Sequence, residues 1–201
     1  MHAGPRQLPA RLSPPPFPVK QICLILMALG LRRFAIFNVQ PKRCNLRDMP
    51  TTNPAARTIL LAGFVAGCCD ITAALILYCT MVPTTPTRLL QGIAAGILGR
   101  QAAYAGGAKT AALGFACHFV IALGAAAMYF ALSRALPFLN RSTILSAAIW
   151  GTIVYFFMQY VTLPLSRIGM PHFNLKFTIV GLIIHFFCIG LPTAAIARPA
   201  R

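Results

Sequence analysis

The sequence predicts an all-α fold, an integral membrane four-helix bundle with one additional interfacial or re-entrant helix. Hydrophobic residues make up 58% of the 201-residue chain and charged residues only 10%, whereas charged residues make up about a quarter of an ordinary soluble domain. Four apolar segments also have the length that a hydrocarbon core of about 30 Å requires. These segments must be helices, because lipid offers no water to the polar groups of an exposed backbone.

The strongly basic composition also fits a membrane protein. The net charge of +16 comes from eighteen Lys/Arg against two acidic residues, which in a soluble protein would indicate nucleic-acid binding. Here the basic residues flank apolar segments, so membrane topology and anionic lipid head groups explain them better, and no nucleic acid is expected as a partner. The seven cysteines show no CxxC spacing, so they are predicted to be small buried side chains outside any disulfide framework.

The chain divides into two parts of different character. Residues 1–57 are basic and contain several prolines, so this segment is predicted to be disordered. Residues 58–201 form the predicted transmembrane domain, with spans at 58–82, 108–132, 144–163 and 177–197. Three prolines fall at the ends of spans, where a missing backbone N–H costs least: Pro83, Pro137 and Pro164.

The first 48 residues admit two interpretations. Their apolar run, 21–31, is only about eleven residues long, too short to span, and it is followed by Arg32 and Arg33 in place of a cleavage site. Either this segment is an interfacial basic anchor, or it is an over-extended gene prediction and the natural start is Met49. The second interpretation is favoured, because a short polar lead follows Met49 directly before the first span.

The distribution of Lys and Arg predicts the orientation. Thirteen of these residues lie on the side of the chain termini and five on the opposite side, so both termini are predicted to be cytoplasmic. Without residues 1–48 the count is five against five. The predicted orientation therefore depends on whether that segment is present.

The connection after the first span carries a helical pattern of its own. Over 88–104, apolar residues recur at helical spacing, namely Leu89, Leu90, Ile93 and Ile97. This pattern predicts one interfacial or re-entrant helix, and a helix lying on the bilayer surface is the favoured form. Gly92 and Gly96 form a GxxxG pair that permits close helix contact, and Gly106 with Gly107 is predicted to end the helix.

Each span presents one stripe of small or polar residues, and these stripes predict a polar layer at the membrane midplane. The layer holds Asp70, His118, Tyr155 and His185, one from each span. At 1.5 Å per residue, Asp70 and Tyr155 lie roughly 17 to 18 Å from one side, and the two histidines roughly 12 to 15 Å from the other. Because a lone carboxylate in lipid is unfavourable, a neighbouring histidine is the expected partner of Asp70.

This layer supports three interpretations. Asp70 bonded to a histidine would fix the register of the helices, as would close packing at Gly63 and Gly67. Alternatively the layer is a pathway for a small solute or a proton, because histidine titrates near neutral pH and can exchange a proton with a carboxylate. Finally, Asp70, His118 and His185 form a two-histidine, one-carboxylate set for a metal or cofactor, with Cys188 one turn beyond His185.

A non-enzymatic role is favoured over an enzymatic one, because the chain lacks a nucleophile elbow, a P-loop and a dinucleotide fingerprint, and no catalytic residues are assigned. Transport of a small solute or proton is the leading active role. The main rival is a non-enzymatic membrane subunit or scaffold that works through a partner protein or as a homo-oligomer. In that case Asp70 and the histidines are structural.

From about residue 59 onward the sequence resembles a family of small four-span bacterial inner-membrane proteins that has no established activity. Four stretches carry the resemblance: Ala62-Gly63 to Asp70, the segment LLQGIAAGILG over 89–99, the step Cys117-His118-Phe119, and the turn Thr162-Leu163-Pro164-Leu165-Ser166. The resemblance implies a location in the inner membrane and a four-span topology, and nothing about activity.

Overall fold

The computed structural model describes residues 53–170 and 172–198, and within them the chain is helical and contains no strand. The expectations for residues 1–48, as an anchor or as a segment preceding the natural start, lie outside the described residues. So does most of the predicted disordered segment. The helices are α1 (Pro54–Met81), α2 (Pro86–Leu98), α3 (Arg100–Ala105), α4 (Gly107–Ala135), α5 (Thr143–Leu165) and α6 (Leu175–Ala197).

Four helices of the described part are long and apolar enough to cross a membrane, α1, α4, α5 and α6. This confirms the all-α fold and the four long apolar helices, which by their length and composition indicate a multi-pass membrane protein. The first span begins earlier than predicted, at Pro54, because Asn53 caps it: the Oδ1 of Asn53 accepts from the N–H of Ala55 at 3.1 Å. Asn174 caps α6 in the same way, accepting from the N–H of Phe177 at 3.3 Å. Such caps satisfy N–H groups that a helix start leaves unbonded.

The connection between the first two spans contains two helices, where the sequence pattern predicted one over 88–104. The chain turns at Gly99, whose φ of 84° separates α2 from α3. Glycine adopts this left-handed conformation without the steric cost that a Cβ would bring. A second glycine with positive φ, Gly107 at 59°, begins α4, so the predicted break at Gly106-Gly107 is present.

Helix α2 packs directly on the first half of α4. No space remains for a Cβ at Gly114, because the backbone of Leu90 occupies that position. The side-chain amide of Gln91 donates to the Gly107 carbonyl at 3.0 Å, and the hydroxyl of Thr110 donates to the Ala103 carbonyl at 2.6 Å. These bonds join α2, α3 and the start of α4 into one unit.

The two ends of the described chain lie on the same side of the bundle. Arg198, just after α6, donates to the Thr143 hydroxyl and to the Asn140 carbonyl, each at 2.7 Å. The end of α6 is therefore beside the turn between α4 and α5. Ala55 and Ile59, at the start of α1, pack against the same core cluster as the end of α6. We call this side the terminal face, formed by 53–57, 136–142 and 198.

The opposite side, the loop face, is formed by 82–106, 166–170 and 172–174. Its segments are bonded together: the Arg167 N–H donates to the Gly96 carbonyl at 3.0 Å. The small core of this face holds the buried Ala94, Ala95 and Ala103.

Glycines set the contacts between the spans. A Cβ on Gly63 would lie 2.8 Å from the Cα of Leu123, and one on Gly67 would lie 3.0 Å from Phe119, so α1 and α4 approach closely there. Small residues allow such approach, and in lipid close packing replaces the hydrophobic effect as the force between helices. Gly92 and Gly96 make only ordinary contacts, as a Cβ there would lie 3.6 Å from the Tyr104 hydroxyl and 3.5 Å from Ser166.

Candidate functional site

The four predicted layer residues lie on four different spans, but the structure does not gather them into one cluster. Asp70 is on α1, His118 on α4, Tyr155 on α5 and His185 on α6. Tyr155 and His185 are in contact with each other. His118 contacts the backbone of α1, and Asp70 lies within electrostatic range of Cys188 on α6.

His118 bonds to α1 through the backbone. Its Nε2 lies 3.0 Å from the Gly67 carbonyl oxygen. Because a carbonyl oxygen only accepts, Nε2 carries the hydrogen in this bond. Gly67 makes the bond sterically accessible, since it has no side chain between the two helices. Asp70 comes one turn later on the same helix face, so His118 is a neighbour of Asp70 without being its hydrogen-bond partner.

Tyr155 and His185 form a contact between α5 and α6. The two rings meet edge to face, with centroids 5.3 Å apart. The Nδ1 of His185 lies 2.9 Å from the Gly181 carbonyl of its own helix. A Cβ on Gly181 would lie 2.5 Å from the Tyr155 ring, so this glycine leaves the space that the tyrosine fills. Tyr155 is buried, with 6% of its surface exposed.

Asp70 is half-buried near the middle of α1. Within residues 53–170 and 172–198 no hydrogen bond or ion pair joins its carboxylate to His118 or His185, so the predicted Asp–His pair is not formed. Cys188 of α6 lies within electrostatic range of Asp70 and Cys69. The sequence placed Cys188 beside His185 as an extra metal ligand; the structure turns it toward α1.

The carboxylate oxygens of Asp70 are not sealed in the protein. In the described part of the chain, the only fully buried side-chain polar atoms without a hydrogen bond are Asn140 Oδ1 and Trp150 Nε1. Asp70 is not among them, so its carboxylate oxygens are accessible from outside the helix bundle. It is therefore a half-accessible acid at the depth of the predicted midplane.

The three metal candidates, Asp70, His118 and His185, do not converge. Among the described residues no group of three or more His, Cys, Asp or Glu side chains is placed to hold a metal ion. The imidazole nitrogens that the structure shows bonded, Nε2 of His118 and Nδ1 of His185, face backbone carbonyls on two different helices. Both bonded nitrogens are therefore occupied in contacts with helix backbone.

Two backbone features were not foreseen from the sequence. Helix α5 widens into a π-helix over Met158–Thr162, and α6 does so over His185–Gly190. The Leu163 N–H bonds to the Met158 carbonyl, and the next residue, Pro164, has no N–H to offer. The carbonyl of Gln159 is thus left without a donor from its own helix.

The same arrangement recurs in α6. The Leu191 N–H bonds to the Phe186 carbonyl, and Pro192 follows it, so the carbonyl of Phe187 also loses its helical donor. The residue beside this carbonyl, Cys188, is the one that lies near Asp70. Prolines inside apolar segments were the available signal, since a proline in a span frees a carbonyl that must find another partner.

A shallow apolar groove opens between α1 and α6, one turn beyond Asp70. Its volume is about 360 Å³, and its lining residues are Ala73, Ile76, Leu77, Thr80, Met81 and Ile184. Within a membrane such a groove holds a lipid chain or a side of another helix.

No protein-family model matches this chain, and comparisons with curated proteins and with solved structures also gave no match. What the protein does must be inferred from the residues around Asp70 and from the four-span fold.

Proposed function

We propose that this protein moves a proton, or a small solute together with a proton, across the bacterial inner membrane, and that Asp70 is the group that binds the proton. The observation that carries the proposal is the state of Asp70: a half-accessible acid in the middle of an apolar span, with no hydrogen-bond or ion-pair partner among the described residues. An ionised residue at such a depth costs about 2.5 to 3.5 kcal/mol on insertion scales. Taking up a proton removes that cost.

The surroundings of Asp70 support proton exchange. His118 bonds to the Gly67 carbonyl, one turn before Asp70 on α1, and so supplies an imidazole next to the same part of that helix. The carbonyl of Phe187 loses its helical donor to Pro192, and the next residue, Cys188, lies within electrostatic range of Asp70. Carboxyl and imidazole side chains are the groups that relay protons in membrane pumps and transporters, and a carbonyl freed from its helix can accept a hydrogen bond from a protonated group or from water.

The experiment is a proton-flux assay with purified protein in liposomes that contain a pH-sensitive dye. We expect wild type and Asp70→Glu, which keeps a titratable carboxyl, to dissipate an imposed pH gradient. Asp70→Asn should behave as empty vesicles while unfolding at the same temperature as wild type. Thr72→Val, on the exposed side of the same turn, is the matched control and should keep the flux. Undiminished flux in Asp70→Asn would refute the proposal.

A second role is favoured by the groove beside Asp70. In a membrane subunit that works through a partner, a helix of that partner would occupy the groove and pair a basic side chain with the carboxylate. Asp70→Asn would then abolish co-purification of the partner or the formation of an oligomer. In this role neither wild type nor the variant would show proton flux. Cross-linking in native membranes, with wild type beside Asp70→Asn, separates this role from transport.

We also propose that both termini are cytoplasmic. The count of thirteen Lys/Arg on the terminal side against five on the other supports this orientation when residues 1–48 are present, and without them the count is five against five. Fusion of a C-terminal reporter that fluoresces only in the cytoplasm should give signal, and fusion of a phosphatase that is active only outside should not. The opposite pattern would reverse the orientation without affecting the role of Asp70.

A further inference from the structure

We propose that the loop face holds the phosphate of an anionic membrane phospholipid between Arg100 and Arg167. This inference does not depend on proton transport by Asp70. It requires only that the four apolar helices cross a bilayer, so that the loop face lies at the level of the lipid head groups.

The charge of the loop face is the first observation. Five cationic side chains lie in it or in the first turns of the helices that begin there, all of them exposed, and they are Arg88, Arg100, Lys109, Arg167 and Lys176. The only acid in the described part of the chain is Asp70, in the middle of α1. No carboxylate therefore offsets this charge from within residues 53–170 and 172–198, and an anion must come from elsewhere.

The position of Arg167 is the second observation. Its backbone N–H donates to the Gly96 carbonyl at 3.0 Å, and its Nη1 lies 3.4 Å from the Leu98 carbonyl. Its Cδ would lie 3.8 Å from a Cβ on Gly99, the residue directly before Arg100. The end of α2 thus holds the Arg167 guanidinium group close to the start of α3, where Arg100 lies.

Arg100 itself is exposed, and none of the described residues makes a hydrogen bond or an ion pair with it. Because the Arg167 side chain lies against Gly99, directly before Arg100, the two cationic side chains extend from neighbouring positions, and their mutual repulsion favours an anion between them. Guanidinium groups match phosphate oxygens in a bidentate geometry, which a lysine pair would not.

The apolar surface next to these arginines indicates that the phosphate belongs to a lipid. Met170, Phe173 and Leu175 are 68%, 72% and 63% exposed, and they lie between Arg167 and Lys176 in the chain. Exposed apolar side chains interleaved with cations are typical of a surface at the boundary of acyl chains and head groups. Free phosphate would use only the cations and would leave these apolar side chains in water.

The terminal face provides the contrast. There the guanidinium group of Arg198 is already engaged by the Thr143 hydroxyl and by the carbonyls of Asn140 and Arg141. In the last turn of α4, next to this face, the guanidinium group of Arg134 lies 3.3 Å over the Phe130 ring and donates to the Phe130 carbonyl. These two guanidinium groups are thus satisfied by the protein, whereas that of Arg100 on the loop face has no partner among the described residues.

The test is native mass spectrometry of detergent-purified protein titrated with phosphatidylglycerol or with phosphatidylcholine. Wild type is compared with Arg100→Gln/Arg167→Gln and with Arg57→Gln/Arg141→Gln, a matched control that loses the same charge from the terminal face. Removal of one interfacial cation weakens the binding of an anionic lipid about fivefold, so the loop-face double variant should lose roughly thirtyfold. The control should bind within about twofold of wild type.

Because Arg167→Gln also removes a bond to Leu98, the single variant Arg100→Gln is the second measurement. Its side chain has no contact to lose, so it should fold as wild type and bind phosphatidylglycerol about fivefold more weakly. Equal losses in the loop-face and control variants would show diffuse attraction and overturn the site. So would undiminished binding in Arg100→Gln. Displacement of the lipid by an equal concentration of inorganic phosphate would overturn the lipid as occupant.

Discussion

Gly151→Ala should break the contact between α5 and α6 that positions Tyr155 and His185. A Cβ at residue 151 would lie 2.7 Å from the His185 carbonyl oxygen, 2.9 Å from its carbon and 3.0 Å from the Cα of Phe186. All three atoms belong to the backbone of α6. No flexible side chain can move away, so the two helices must separate for the methyl group to fit.

The expected magnitude follows from two opposing terms. Overpacking a close contact costs about 1 to 3 kcal/mol, and contact with rigid backbone justifies the upper end. Against this, alanine is favoured over glycine inside a helix by about 1 kcal/mol. The net destabilisation is then about 2 kcal/mol, which lowers the folding equilibrium constant roughly thirtyfold.

Gly124→Ala in α4 is the matched control, since a Cβ at residue 124 would meet no atom within 4 Å. It keeps the gain in helix propensity without the clash, so it should stabilise the protein by about 1 kcal/mol. Reversible unfolding in mixed detergent, followed by circular dichroism, measures both variants. Equal changes of stability in the two variants, or a stabilised Gly151→Ala, would refute the packing argument for α5 and α6.

Two further perturbations test the ends of the bundle. Arg198→Gln removes a charged donor from the Thr143 hydroxyl and from the turn before it, so the free energy of unfolding should fall by about 1.5 to 3 kcal/mol. Limited proteolysis at the C-terminus should then be faster than in wild type. Arg141→Gln, which changes an exposed side chain, should be cleaved at the wild-type rate. Gly99→Ala forces alanine into the left-handed conformation at φ 84°, so it should destabilise the protein by about 1 to 2 kcal/mol in the same unfolding assay. Gly92→Ala in α2 is the control, because a Cβ there would lie 3.6 Å from its nearest neighbour, the Tyr104 hydroxyl, and it should be neutral or stabilising.

The state of Asp70 separates the roles considered for the midplane layer. If Asp70 were a register-fixing residue, a hydrogen bond to a neighbouring helix would be expected, because buried polar groups are nearly always paired. The residue that does bond across helices is His118, through Gly67. The hydrogen bond between helices in this layer is thus made by His118, and Asp70 makes none with the described residues, which is why we propose that its carboxylate binds a proton or a partner.

The sequence by itself determined the number and nature of the spans. An apolar segment of sufficient length has no alternative to a helix in lipid, and Asn53 and Asn174 mark helix starts by local capping alone. The stripes of small residues were also readable, because the helical period places residues three and four apart on one face. These are properties of one helix at a time.

Only the tertiary structure decided which groups meet. Gly67 has no side chain, so no pattern in the sequence indicates that its carbonyl receives His118. The π-helices before Pro164 and Pro192 change the number of residues per turn within them, so a count at 3.6 residues per turn does not fix the direction of Cys188, which lies inside the second one and within electrostatic range of Asp70. Rotation and depth of one helix against another are set by backbone contacts at glycines, and these contacts depend on the surface that the neighbouring helix presents.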